Sequence, residues 1–304
     1  MISLREAFGK YIVELAQKRQ DFFILDADVA GGTCTHWFRE SCPERFIQCG
    51  IAEQNMFGVA AGMSTLGITP IVTCYSVFAS MRAIEQARNS IAYPNFNVKI
   101  VASHPGIDVG PDGATHQAIE DIAIYRSIPN FTVLSPCDEI ELKRCTDFIL
   151  DYKGPVYMRT GRSPVPNIHN EDYEFKFAKP DIILKGKDIA IFTTGITTHR
   201  AIEVAKRLNT WLINVPTLKP IDDTIFKEIL SSVKRALTVE DHNIINGLGS
   251  LIESIIAKYG IPTRLKKLGI KDRFGKSGEP DELAKLYGID DITIEKEVKN
   301  YGTI

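Results

Sequence analysis

Residues 50–62 read Gly-Ile-Ala-Glu-Gln-Asn-Met-Phe-Gly-Val-Ala-Ala-Gly. Met56, Val59, Ala60 and Met63 recur at helical spacing, and Gly67 closes the run, so the pattern predicts a helix that opens at Glu53. An acid in the first turn compensates the helix dipole for a few tenths to about 1 kcal/mol, and that alone accounts for one glutamate. Two neighbouring features ask for more. Gly58, Ala60, Ala61 and Gly62 keep one side of the helix small enough for a backbone or a flat ligand to approach. Further on, Tyr75-Ser-Val-Phe78 sets two aromatic rings after a predicted strand. A carboxyl beside a ring face suits a flat, basic heteroaromatic: one group takes its ring nitrogen and the other stacks on it.

Outward from this stretch, the chain alternates apolar strand runs with amphipathic helices. Residues 1–17 predict a helix with Leu4, Phe8, Ile12 and Leu15 on one stripe. Phe22–Leu25, Ile68–Cys74, Asn97–Ala102, Phe131–Ser135 and Val156–Arg159 predict strands. Ala79–Ile91, Ile119–Arg126 and Glu139–Asp151 predict helices. Such alternation implies a mostly parallel sheet covered on both faces. Residues 163–180 carry three prolines and many polar side chains. They break the pattern and predict a linker. A second, smaller α/β unit follows, with strands over 188–192, 211–215 and 235–239, helices over 197–208, 223–232 and 248–259, and a last short helix over 278–285. The expected division is a first domain over 1–165, a linker over 166–185 and a second domain over 186–304.

The 304 residues suffice for two cores, and a net charge of −2 gives no global reason to expect nucleic acid. No apolar run is long enough for a membrane span and no signal-peptide pattern is present, so a cytoplasmic location is expected. The six cysteines form no CxxC pair and predict reduced thiols, with metal binding a poor second.

The glycine-rich loop over 103–117 gathers His104, Asp108, Asp112 and His116. Imidazoles and carboxylates bind polyol hydroxyls and pass protons near neutral pH. Capping explains either aspartate singly, and a metal site lacks a matching ligand spacing. Asp28 and the Gly31-Gly32 pair just past the first strand lie where open α/β sheets place ligands, or else form a solvated turn.

GIAEQNM, YSVF, SHPGIDVGPDGATHQ and TVEDH, in this order, resemble the transketolase family, and more narrowly the C-terminal, pyrimidine-binding half of a split two-subunit transketolase. The resemblance runs from Leu4 to the C-terminus. It implies a thiamine diphosphate-dependent transfer of a two-carbon ketol unit from a ketose to an aldose phosphate. Glu53 matches the glutamate that contacts N1′ of the aminopyrimidine and promotes loss of the proton at thiazolium C2. Phe78 matches the stacking ring, Tyr75 its aromatic neighbour, and Asp28 an acid near the thiazolium. His104, Asp112 and His116 match substrate residues. Arg5 and Arg162 match arginines for a terminal phosphate, with His104 completing a cationic cradle. The family usually has a serine hydroxyl for that phosphate where this chain has Gly32, followed by Thr33. The departure raises the expectation of an altered terminal group, such as the sulfonate of a sulfo-sugar, unless Thr33 supplies the hydroxyl.

The family's GDG motif for the metal and diphosphate is absent from the sequence, so the resemblance implies no metal ligand here. A partner subunit would bind Mg2+ and the diphosphate, in a heterotetramer of two pairs. Three rivals share parts of the pattern: the β subunit of a 2-oxo acid dehydrogenase, a fragment of a deoxyxylulose-phosphate synthase, and a non-catalytic interaction subunit. In the second unit, Glu240 and His242 admit an acid/base reading, but the structural reading is favoured.

Overall fold

The structure is a computed structural model, and it describes residues 1–300. Six parallel strands build the first sheet: β1 (Phe22–Asp26), β2 (Phe46–Gln48), β3 (Thr69–Tyr75), β4 (Lys99–Ser103), β5 (Thr132–Leu134) and β6 (Val156–Thr160), in the order β5-β6-β4-β3-β1-β2. β3, β4 and β6 are rich in β-branched and apolar residues and buried almost throughout, as strands covered on both faces must be. The second sheet contains β7 (Asp181–Leu184), β8 (Ile189–Thr193), β9 (Trp211–Asn214), β11 (Arg235–Asn243) and β12 (Arg264–Ile270), in the order β12-β11-β8-β9-β7. All its pairs are parallel except β7 with β9. Between β9 and β11, β10 (Thr217–Lys219) leaves this sheet and pairs antiparallel with β5, joining the first sheet as its seventh strand.

Register decides what meets at the carboxyl ends of the strands, where open α/β sheets bind ligands. Tyr75 pairs with Ser103, and Ser103 with Thr160. The segments that follow, Ser76–Arg82, His104–Gln117 and Gly161–Arg162, therefore leave the sheet side by side. The first helix, Leu4–Ala16, starts with a capping box between Ser3 and Glu6, which brings Arg5 to the same edge.

Four expectations need correction. The predicted linker is not structureless: Pro164–Val165 pairs with Ile2–Ser3, and Asp181–Leu184 is a strand, whose mixed exposure gave no clean alternation in sequence. The predicted helix over 79–91 is one short α-turn, Ile84–Gln86, between two wide π-turns, Phe78–Arg82 and Ala87–Ala92. The last helix is Asp291–Asn300, beyond the short helix Pro280–Tyr287. Gly58 and Gly62 have nothing near the position of a Cβ, so the small side of the Glu53 helix is open among the described residues, while Met56, Phe57, Ala60 and Ala61 face the core.

Candidate functional site

Glu53 opens its helix as expected, over Glu53–Ser64, and its side chain is 2% exposed. Its partner is an arginine that the sequence reading did not single out. Arg82 Nη1 donates to both carboxylate oxygens, at 2.9 and 3.0 Å. The same guanidinium lies over the ring of Phe78, 4.3 Å from its centroid. The π-turn explains the meeting: Ala83 N–H bonds to Phe78 O, and this wide turn carries Phe78 and Arg82 up one side. Glu53 and Phe78 thus meet on one flat guanidinium.

The rings beyond Phe78 form a cluster. Tyr75 stacks with Phe78 at 5.8 Å and lies 4.2 Å from His104, centroid to centroid. His116 meets Phe78 edge-on at 5.4 Å. His104 is buried, holds a positive φ of 60°, and has Nδ1 2.9 Å from Ser103 Oγ. A non-glycine residue kept in that backbone region reflects constraint by its surroundings. Burial, then the charges of Arg5 and Arg162, then His116 lower the His104 pKa to about 3. The imidazole is therefore neutral at working pH, so in the expected cationic cradle Arg5 and Arg162 carry the charge and His104 is a neutral hydrogen-bonding group.

Arg5 Nη1 donates to Gly32 O at 2.9 Å, while its buried Nε has no acceptor. A buried donor without a partner is costly, so this atom suits an incoming oxyanion. Arg162 is set by Asp108, whose carboxylate accepts from the N–H groups of Arg162 and Ser163 at 2.8 Å each. Arg162 Nη1 also donates to Val109 O. Asp108, seen in sequence only as a possible cap, thus fixes the arginine's segment. Its own backbone is held from the second domain: Asp241 accepts from Ile107 and Asp108 N–H at 2.8 and 3.2 Å.

A Cβ built on Gly32 would stand 2.2 Å from Tyr75 Oη. The tyrosine hydroxyl therefore fills the space next to Gly32 that a serine side chain would take. Burial and then Asp112 raise the Tyr75 pKa, so the phenol stays a donor. Thr33 is not brought into this group. It is 3% exposed, and its hydroxyl lies 2.8 Å from Thr35 Oγ1 and donates to Val29 O at 3.3 Å. Asp28 is exposed at φ 65°, with its N–H bonded to Gln48 Oε1 rather than its carboxyl bonded to a site residue. Asp112 is exposed at the end of the turn Gly106–Asp112.

Glu240 accepts from Leu248 and Gly249 N–H at 2.6 and 2.9 Å and so caps the helix Leu248–Tyr259. Burial raises its pKa to about 7. His242 is fully buried, with Nε2 accepting from Ala123 N–H and Nδ1 near Asn243 O. Burial lowers its pKa to about 4. Both are structural.

Cys137, Asp138 and His169 are the one group of metal-ligand type among the described residues. Both His169 nitrogens are already engaged, with Asp138 and Asp181 at 2.9 Å each.

The chain is thus a two-domain α/β protein with a buried acid and a ring face at the carboxyl edge of its first sheet. Residues 1–167 match the family model "Transketolase, pyrimidine binding domain", and residues 178–294 match "Transketolase, C-terminal domain". The chain belongs to the transketolase family. It is 43% identical over 302 residues to a putative transketolase C-terminal section of Methanocaldococcus jannaschii, covering 97% of this chain and 95% of that one. It is 35% identical over 291 residues to a 6-deoxy-6-sulfo-D-fructose transketolase subunit of a Clostridium species, covering 94% and 90% respectively. A solved structure described as a split gene transketolase, inactive β4 tetramer, superposes with a TM-score of 0.91 at 39% identity, covering 99% of this chain and 98% of that chain. No helix of the described residues is long and apolar enough to cross a membrane.

Proposed function

We propose that this chain holds the aminopyrimidine half of a thiamine diphosphate site and acts, together with a partner subunit, in ketol transfer between sugars with a terminal oxyanion. The observation that carries the reading is the pairing of a carboxyl 2% exposed with the Phe78 face, both already accepting one flat cation. That donor set fits an aminopyrimidine: Glu53 would hold N1′ and Phe78 would stack on the ring. When bound, the cofactor supplies an electron sink for carbon–carbon cleavage beside a carbonyl. The chain's own residues orient and shield. Glu53 exchanges a proton with the ring nitrogen out of contact with bulk water. Neutral His104, with His116 across the ring cluster, hydrogen-bonds the sugar hydroxyls. Asp112 at the loop's rim takes a hydroxyl of the acceptor. Arg5 Nε, Arg162 and the Tyr75 hydroxyl receive the terminal oxyanion.

The diphosphate and its Mg2+ fall to the partner, because the residues for them are absent from the matched half. Exposed Ile51 and Leu66 flanking the Glu53 helix, with exposed Met81 and Tyr93 on the segment that carries Phe78 and Arg82, offer apolar surface for that assembly. The terminal group is a phosphate or a sulfonate, and the sulfo-sugar relative together with the changed hydroxyl at Gly32 favours testing both.

The test is turnover by the complex reconstituted with its diphosphate-binding partner. Glu53→Gln is expected to lower kcat by about a hundredfold or more, the range for loss of a positioned acid–base group. Turnover unchanged in Glu53→Ala instead makes the chain a non-catalytic interaction subunit. Release of carbon dioxide from pyruvate would favour the 2-oxo acid dehydrogenase reading. Fructose 6-phosphate compared with 6-deoxy-6-sulfofructose decides the terminal group, and a clear preference for the phosphate sugar ends the sulfonate reading.

A further inference from the structure

Arg82 makes both contacts that the aminopyrimidine is proposed to make. Its guanidinium donates to both oxygens of Glu53, at 2.9 and 3.0 Å, and stacks 4.3 Å from the Phe78 centroid. A guanidinium is flat, cationic and a fixed hydrogen-bond donor, the same three properties that a pyrimidine with a proton on its ring nitrogen offers a carboxylate and a ring. Among the described residues, Glu53 is the only polar partner of the Arg82 side chain. The two ends of the pair are unlike. The Glu53 side chain is 2% exposed at the start of its helix, whereas the Arg82 side chain is 47% exposed at the end of a long stem. A half-exposed arginine turns into solvent without losing much hydration; the glutamate has nowhere to go.

We infer that Arg82 is a self-ligand of the pyrimidine subsite: it covers Glu53 and Phe78, and cofactor capture begins by displacing it. This rests on the proposed thiamine diphosphate reading and adds a competitor to it. The π-turn is part of the device, since it lays Arg82 back over Phe78 and leaves the arginine at the solvent edge. The self-contact keeps a buried carboxyl partnered during assembly, and it lowers cofactor affinity by the strength of one half-exposed ion pair.

The experiment is a titration of the reconstituted complex with thiamine diphosphate at fixed Mg2+, read by calorimetry or by quenching of intrinsic fluorescence. Arg82→Gln is expected to tighten Kd by about twofold to fivefold, the range left to such a pair after solvent screening. Arg82→Lys keeps the charge but not the fork and should tighten Kd less, and it carries the test if the glutamine variant fails to assemble. An unchanged or weaker Kd in the variant that assembles overturns the inference and makes Arg82 a bystander or a cofactor ligand. The Glu53→Gln background separates this from the parent reading. There the arginine has lost its carboxylate, so adding Arg82→Gln should bring no further gain. With the competitor already removed, an unchanged affinity between Arg82→Gln and the Arg82→Gln/Glu53→Gln double variant sinks the parent reading itself.

Discussion

At the scale of single residues, Gly32 and Tyr75 are one decision made twice. The Cβ position of Gly32 lies 2.2 Å from Tyr75 Oη and 2.7 and 2.8 Å from two carbons of its ring, so a side chain at 32 and the Tyr75 ring edge exclude each other. Gly32→Ser is therefore expected to destabilise the chain by about 1–3 kcal/mol, the usual cost of overpacking. Tyr75→Phe removes the nearest of these atoms but keeps the ring carbons, so the double variant should recover part of that loss, a coupling of the kind seen for residues in contact. Denaturant midpoints of the two singles and the double measure it, and additive losses would show that the two do not compete for space. In the reconstituted complex, Tyr75→Phe alone should raise KM for a substrate with a terminal oxyanion several-fold, about 1 kcal/mol for one hydrogen bond, and change kcat less.

At the scale of elements, the segment that joins the two domains is fastened by His169. Its ring sits between Asp138, the N-cap of the helix Glu139–Asp151, and Asp181, at the start of β7, with 2.9 Å to each. Burial works to lower the pKa of His169, but the hydrogen bonds to Asp138 and Asp181 overcome it and raise the pKa from its ordinary 6.5 to about 10. Its stabilisation is full below pH 6.5 and is lost as pH rises through about 10. Asp138 runs the other way: burial would raise it, yet His169 holds it down at about 2, so its share is present above 3.8 and lost as pH falls through about 2. His169→Ala should cost about 3 kcal/mol near neutrality, because it leaves a buried carboxylate unpaired, and the gap to wild type should shrink towards pH 10. Urea midpoints across that range test it, and a gap that does not change with pH would mean that the imidazolium is not the fastener. No motif or spacing signals this contact, since Asp138 and His169 are joined only by the fold. The same reason hid Arg82 from Glu53 and Tyr75 from Gly32, whereas β3, β4 and β6 were legible because each is an apolar run between turn residues. The π-turns escaped because apolar periodicity over residues 79–91 averages across them. Asp291–Asn300 escaped because its only buried residues are Ile294 and Val298. Glu53, Phe78, Arg5 and Arg162 stand out as candidates through motif order, and what motif order could not carry was how neighbours set their charge and reach.

At the scale of the whole molecule, the second domain is not a passenger of the first. β10 completes the first sheet by pairing with β5, and one apolar cluster runs from Leu25 and Phe57 through Tyr157 to Phe192 and Phe226. Asp241 reaches back to hold Ile107 and Asp108, and a Cβ at Gly106 would stand 2.2 Å from its carboxyl group. Arg159, paired with Asp121, donates to Asp241 O at 3.2 Å, so buried charge also crosses the junction. Domains joined by a small, wet interface unfold separately; these share a strand, a core and the loop that carries His104. The intact chain is therefore expected to melt in one calorimetric transition, with the calorimetric enthalpy equal to the van't Hoff value. A chain cut at residue 177, between the two matched domains, loses β10 and leaves β5, buried along its whole length, as a bare sheet edge. Such an edge pairs with other chains, so the fragment should aggregate or stay partly unfolded rather than melt cooperatively. Two resolved transitions in the intact chain, or a monomeric fragment with a sharp melt of its own, would show that the first domain carries its site without help from the second.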